Sequence, residues 1–182
     1  MQKFEQFTLD TAPQDSRSLL ESSMKSFGMI PNLHAVMAAS PPVLKAYQTL
    51  HELAQQTAFT PEELCVVWLE ISVEHECNYC VPAHTAIAAM MDVSPKIVHA
   101  IREMKPLPKA KLEVLRQFTL DVLRQRGRVS DRCIQEFLSA GYEQRHILDI
   151  VLILSQKIMS NYINHMANTP IDEAFEEYAW GK

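Results

Sequence analysis

The chain has 182 residues, 47% of them hydrophobic and 21% charged, and a formal net charge of −5. That length can bury one compact core, and an acidic balance with no basic block excludes a general nucleic-acid surface. No apolar run approaches the roughly 20 residues that span a bilayer. The first residues, Met1 to Phe7, lack the apolar core of a signal peptide, so a reducing cytoplasm is the expected compartment. Only four glycines are present, Gly28, Gly127, Gly141 and Gly181, too scattered for a phosphate-cradling loop.

Residues 1–14 read as an irregular lead-in. Leu19, Leu20, Met24 and Phe27 have helical spacing, which predicts a helix from about Ser16 to Phe27 closed by Gly28. Pro31 opens a short second helix through Val36 and Met37. Ser40 and Pro41 open a third, with Val43, Leu44, Tyr47, Leu50 and Leu53 as its buried stripe. Thr60-Pro61-Glu62-Glu63 carries the pattern of a capping box, which gives Glu63 a structural role in preference to a proton-relay one. That helix continues through Val66, Val67, Trp68 and Ile71.

Asp92-Val93-Ser94-Pro95 marks a stop and a new start, with Ser94 as cap. Lys105-Pro106-Leu107-Pro108 is a loop, too short to divide the chain into domains. A longer helix follows from about Lys109 to Arg126, ended by Gly127. Ser130 caps the next, which Gly141 ends. A helix starting near Glu143 holds Ile147, Leu148, Ile150, Val151, Leu152, Ile153, Leu154, Ile158 and Met159. Being apolar nearly all round at its centre, it is expected to be buried on most sides or to form a subunit interface. The segment 170–182 brings Phe175, Tyr178 and Trp180 together as a docking tail. No alternating strand pattern of useful length occurs. The expectation is a single all-α domain over 1–182.

The chemistry concentrates in Glu74-His75-Glu76-Cys77-Asn78-Tyr79-Cys80-Val81-Pro82-Ala83-His84. If a helix starts near Cys77, then Cys77, Cys80 and His84 fall at i, i+3 and i+7 on one face. A thiol in a first helical turn feels the positive end of the backbone dipole, which favours thiolate. His84 is placed to exchange a proton with Cys80. From the residues alone three readings stay open: a redox pair, a zinc site completed by His75, and buried structural cysteines with a core histidine. Cys65 and Cys133, standing alone, read as core residues. His34, His51, His99, His146 and His165 are scattered and read as packing residues.

The Cys-x-x-Cys-x-x-x-His motif resembles that of the alkylhydroperoxidase AhpD-like group of the carboxymuconolactone decarboxylase family. Softer matches extend from Gly28-Met29-Ile30-Pro31-Asn32-Leu33 to Ser160-Asn161-Tyr162 and Thr169-Pro170-Ile171-Asp172. The resemblance implies a compact helical domain, assembled as a homo-oligomer such as a dimer or hexamer. It implies an antioxidant thiol peroxidase in which Cys80 attacks a hydroperoxide, Cys77 resolves the sulfenic acid to a redox-active disulfide, and His84 serves as acid/base. No organic cofactor or metal is implied. The partners would be a hydroperoxide and an external thiol or thioredoxin-like reductant, with no nucleic acid and no membrane. Family members often carry a relay glutamate twelve residues before the first cysteine. Cys65 stands there in this chain, which leaves Glu74, or Glu70, as the nearby carboxylate for that role. The alternatives are a non-catalytic helical oligomer with a redox-sensing or zinc-binding motif, and a decarboxylase or lactone-acting enzyme on the same fold.

Overall fold

The computed structural model describes residues 4–181; Met1 to Lys3 of the predicted lead-in and Lys182 of the tail lie outside the described residues. Among those described, the regular structure is entirely helical, with no strand. The helices are α1 (Gln14–Phe27), α2 (Asn32–Met37), α3 (Pro41–Ala54), α4 (Pro61–Glu74), α5 (Cys80–Met90), α6 (Pro95–Arg102), α7 (Ala110–Arg124), α8 (Asp131–Ser139) and α9 (Gln144–Ala167), followed by a 3-10 helix, Glu173–Tyr178. No helix is long and apolar enough to cross a membrane.

The boundaries follow local chemistry. Gly28 ends α1 in the left-handed region (φ 72°), its N–H bonded to Met24 O, a conformation that costs a residue without Cβ little. At α4 the capping box is complete. Thr60 Oγ1 accepts from Glu63 N, and Glu63 Oε2 accepts from Thr60 N at 2.9 Å. Ser130 caps α8 in the same way, accepting from Cys133 N. Ser40 and Ser94, expected as side-chain caps, accept no such bond. Proline follows each of them, and Pro41 and Pro42 together remove two of the first N–H groups, so little remains to cap.

α4 is the central element. Every residue from Glu63 to Val73 is buried, and the helix packs against α5, α6, α7 and α9. Its composition explains this: Leu64 to Leu69 are apolar all round, and the two polar intruders are satisfied. Glu70 pairs with buried Arg116 of α7 at 2.8 Å, and Ser72 Oγ donates to Trp68 O at 2.7 Å. Burying a polar group without such partners would cost several kcal/mol.

α9 departs from its expected burial on most sides. One face, with Ile150, Ile153, Gln156, Lys157, Ser160, Asn161 and Asn164, turns inward against α3 and α4. The other leaves Leu148 70% and Met166 65% exposed, with Val151 and Tyr162 also open. The C-terminal half therefore buries its polar side, the reverse of ordinary amphipathic order. Cys133 also differs from the expected core cysteine. It is half-buried at the start of α8 beside Ser130, whereas Cys65 is in the core.

The tail docks on its own chain. Arg102 of α6 donates to Tyr178 O and Ala179 O at 3.0 Å, and Trp180 Nε1 donates to Arg102 O at 3.2 Å. This lays the 3-10 helix along α5, over the region where the cysteines sit.

Candidate active site

α5 starts at Cys80, three residues later than expected, and Cys77 lies in the turn before it. Glu76, in the left-handed region at φ 51°, turns the chain as it leaves α4, and Cys77 N bonds back to Ser72 O at 3.0 Å. Cys77 Sγ then accepts from Cys80 N at 3.3 Å, taking the place of a capping side chain. Cys80 alone occupies the first turn, where helix dipole and free N–H groups favour an anion.

The two thiols differ accordingly. Burial pushes the Cys80 thiol up, but the hydrogen bond offered by Cys77, the charge of Lys157, and contacts from Asn164 and Ser160 outweigh it and draw it down to about 6. Cys77 moves the other way, pushed far up by its hydrogen bond to Cys80 and by burial. The pair is not disulfide-bonded in this structure. Cys80 is thus the thiol drawn toward thiolate, and Cys77 the one held toward its protonated form.

α9 supplies the rest of the sulfur's surroundings from positions one and two turns apart. Asn164 Nδ2 donates to Cys80 Sγ at 3.2 Å, and Ser160 Oγ lies 3.9 Å from it. One turn earlier, Lys157 is 0% exposed, and its Nζ has no hydrogen-bond partner among the described residues. Burial holds this ammonium below its ordinary value, and the charges on Cys80 and Cys77 offset that only in part. An unpaired buried cation is costly, and the thiolate is what offsets it here. Sequence reading did not name Lys157 or Asn164 as site residues, and Ser160 entered only through the soft match Ser160-Asn161-Tyr162. Their i, i+3, i+7 spacing on one helix was a signal that could have grouped them.

His84 is buried beside Trp68, with ring centroids 5.1 Å apart. Burial first, then the charges of Lys157 and His51, hold it far below its ordinary value, so it is neutral at pH 7 and has no imidazolium proton to donate. Its Nδ1 has no hydrogen-bond partner among the described residues. Glu74 is turned away, donated to by Arg124 through Nε at 2.6 Å and Nη2 at 2.7 Å. Glu70 is held by Arg116. His75, the proposed fourth zinc ligand, is bonded to Asn161 Nδ2 at 2.7 Å, and among the described residues no three His, Cys, Asp or Glu side chains are grouped to hold a metal ion.

These residues open onto a cavity of about 970 Å³. Cys80, His84 and Lys157 line it together with Tyr47, His51, Phe59 and Trp68, and the tail contributes Phe175 and Tyr178. Exposed Phe27 and Met90 stand at its rim. A mostly apolar, aromatic wall with a few convergent polar groups is the usual form of a small-molecule site.

No family model matches the sequence, and no curated protein matches it. Solved structures do match. The chain is similar to an alkylhydroperoxidase AhpD core protein, an uncharacterized peroxidase-related protein from Ralstonia eutropha JMP134. The TM-score is 0.83 at 19% identity, covering 96% of both chains. A peroxidase-related protein from Silicibacter sp. TM1040 matches with TM-score 0.79 at 19% identity, over 96% of this chain and 95% of that one. The debrominase Bmp8, solved as a cysteine-to-alanine variant in complex with 2,3,4-tribromopyrrole, matches with TM-score 0.74 at 18% identity, over 97% and 95%. Near-complete coverage on both sides, together with the helical order described above, shows that this chain has the AhpD-like fold.

Proposed function

We propose that the chain is a thiol-dependent oxidoreductase that reduces hydroperoxides through Cys77 and Cys80. The observation that carries this reading is the asymmetry of the pair. Cys80 is drawn toward thiolate on the wall of an apolar cavity, while Cys77 is pushed up by its side-chain hydrogen bond to Cys80 and by burial, although its sulfur accepts from Cys80 N. In the proposed cycle the Cys80 thiolate attacks the terminal oxygen and becomes a sulfenic acid. Cys77 resolves it to a disulfide, and an external dithiol or thioredoxin-like protein restores the thiols. His84 acts as a neutral base on the cavity wall. Glu74, engaged by Arg124, serves as a relay only by leaving that pair. The peroxidase-related structural neighbours support the same reading.

The test is intact mass on freshly reduced protein, before and after one equivalent of an organic hydroperoxide. Loss of two hydrogens, mapped by digestion to Cys77–Cys80, is the expected result, and Cys80→Ser should abolish it. Thiols untouched by peroxide, or full turnover in Cys80→Ser, overturn the assignment. A second reading is favoured by the size and aromatic lining of the cavity together with the likeness to a debrominase. In it the same dithiol passes two electrons to a halogenated ring and releases halide. Halide release in the absence of peroxide reduction would select it.

A further inference from the structure

We propose that Lys157 is the proton store of the Cys77–Cys80 couple: charged beside the reduced pair, it gives up its proton when Cys80 is oxidised and recovers it on reduction. The proposal rests on the redox reading of these cysteines. Its basis is placement. Lys157, Ser160 and Asn164 form one inward stripe of α9, two of them reach the Cys80 sulfur, and the third carries a fully buried ammonium whose Nζ has no hydrogen-bond partner among the described residues.

The groups that act on Lys157 come from every side. α3 contributes His51, the end of α4 contributes His75, and α5 with its preceding turn contributes His84, Cys80 and Cys77. Tyr47 of α3 also faces the thiols. The histidines are all held below their ordinary value, and among the described residues no carboxylate pairs with the lysine. The only anion available to it is therefore the thiolate. Forming a disulfide removes that anion and leaves a cation in an apolar cavity, a state that buried lysines escape by deprotonating.

With a hydroperoxide the step balances as follows. The Cys80 thiolate bonds to the terminal oxygen, the O–O bond breaks, and the departing alkoxide takes the Lys157 proton to leave as an alcohol. The Cys80 sulfenic acid then condenses with the Cys77 thiol, forming the disulfide and releasing water. One thiolate, one thiol and one ammonium become one disulfide, one neutral amine, an alcohol and water, with no proton drawn from solvent. Lys157 thus supplies the acid that neutral His84 and ion-paired Glu74 do not.

The test is thiol–disulfide exchange between the intact protein and dithiothreitol over about pH 7 to 8, where the reference thiols stay protonated. Iodoacetamide reactivity of Cys80 is followed in parallel. If Lys157 gains a proton on reduction, the protein takes up two protons per disulfide, as the reference does. The exchange constant is then independent of pH even though Cys80 reacts as a thiolate throughout. If Lys157 stays charged in both states, one proton is released per exchange, the constant rises tenfold per pH unit, and the proposal falls. It falls equally if Cys80 proves protonated over this range. Lys157→Arg, whose charge is permanent, should keep the thiolate and show the tenfold-per-unit rise. Cysteines that form no disulfide at all sink the redox reading and this inference together, which separates the two failures.

Discussion

Asn164 reaches across from α9 to donate a hydrogen bond to Cys80 Sγ at 3.2 Å, while its own Oδ1 is buried without a hydrogen-bond partner among the described residues. The side chain is thus held by the sulfur, which is the better acceptor as a thiolate. A hydrogen bond to a charged group contributes about 1.5–3 kcal/mol, and about 1.4 kcal/mol corresponds to tenfold in thiolate population. Asn164→Ala should therefore slow alkylation of Cys80 by iodoacetamide about tenfold at pH 5, below the value of about 6 to which the thiol is drawn and where the rate tracks that population. An unchanged rate would show that Lys157 and the helix start suffice.

His34 gives the fold an acid-side weakness. Burial, then the charge of His51, pushes it down to about 3, and its Nδ1 lies 2.8 Å from Ser23 Oγ. In the unfolded chain a histidine takes up a proton below about pH 6.5, but this one stays neutral in the fold until far lower. Between those values the unfolded state binds more protons, so stability rises with pH and is lost as pH falls through the window. The loss is about 1.4 kcal/mol per pH unit for each such group. Urea denaturation of His34→Gln, compared with the parent at pH values from 6 to 4, should show a shallower slope by that amount. Equal slopes would mean that His34 is not held neutral.

Tyr79 ties the cysteine turn to the tail. Its hydroxyl donates to Asp172 Oδ2 at 2.5 Å and accepts from Leu33 N at 3.3 Å, while Asp172 Oδ1 accepts from Asn32 N at 2.9 Å. Tyr79→Phe leaves a buried carboxylate oxygen and a buried N–H unpaired, at a cost of about 1–3 kcal/mol for each such group. The expected outcomes are a lower urea midpoint and faster hydrogen exchange across Glu173–Tyr178. A loss of stability without faster exchange there would place the effect elsewhere.

Thr60→Ala serves as a contrast. It removes the side-chain cap of α4, at a cost of about 1 kcal/mol, yet Thr60 lies outside the cavity lining. The pH profile of Cys80 alkylation should be unchanged while the urea midpoint falls. A shifted profile would mean that the start of α4 is coupled to the thiolate.

The local parts of this structure were legible in the residues. The Thr60–Glu63 box, Gly28 after α1, Ser130 before α8 and the Pro41 start all rest on interactions within four residues of chain. Such contacts follow from spacing alone. The motif Cys77-x-x-Cys80 was also visible, though its helix register was not. The turn through Glu76 depends on α4 ending where it does, and it displaces Cys77 from the helix it was expected to begin.

The all-helical class, most helix ends and the presence of two neighbouring thiols were determined by the sequence itself, because periodicity, capping and short-range spacing act along the chain. Tertiary structure alone decided which thiol is drawn toward thiolate and by which neighbours. Lys157 lies 77 positions after Cys80 in the numbering and looks, on paper, like a lone charge on an apolar helix. Only packing of α9 against α3, α4 and α5 takes it out of water. Once water is excluded, the ammonium and the thiolate stabilise each other as they could not on the surface, where solvent would screen both.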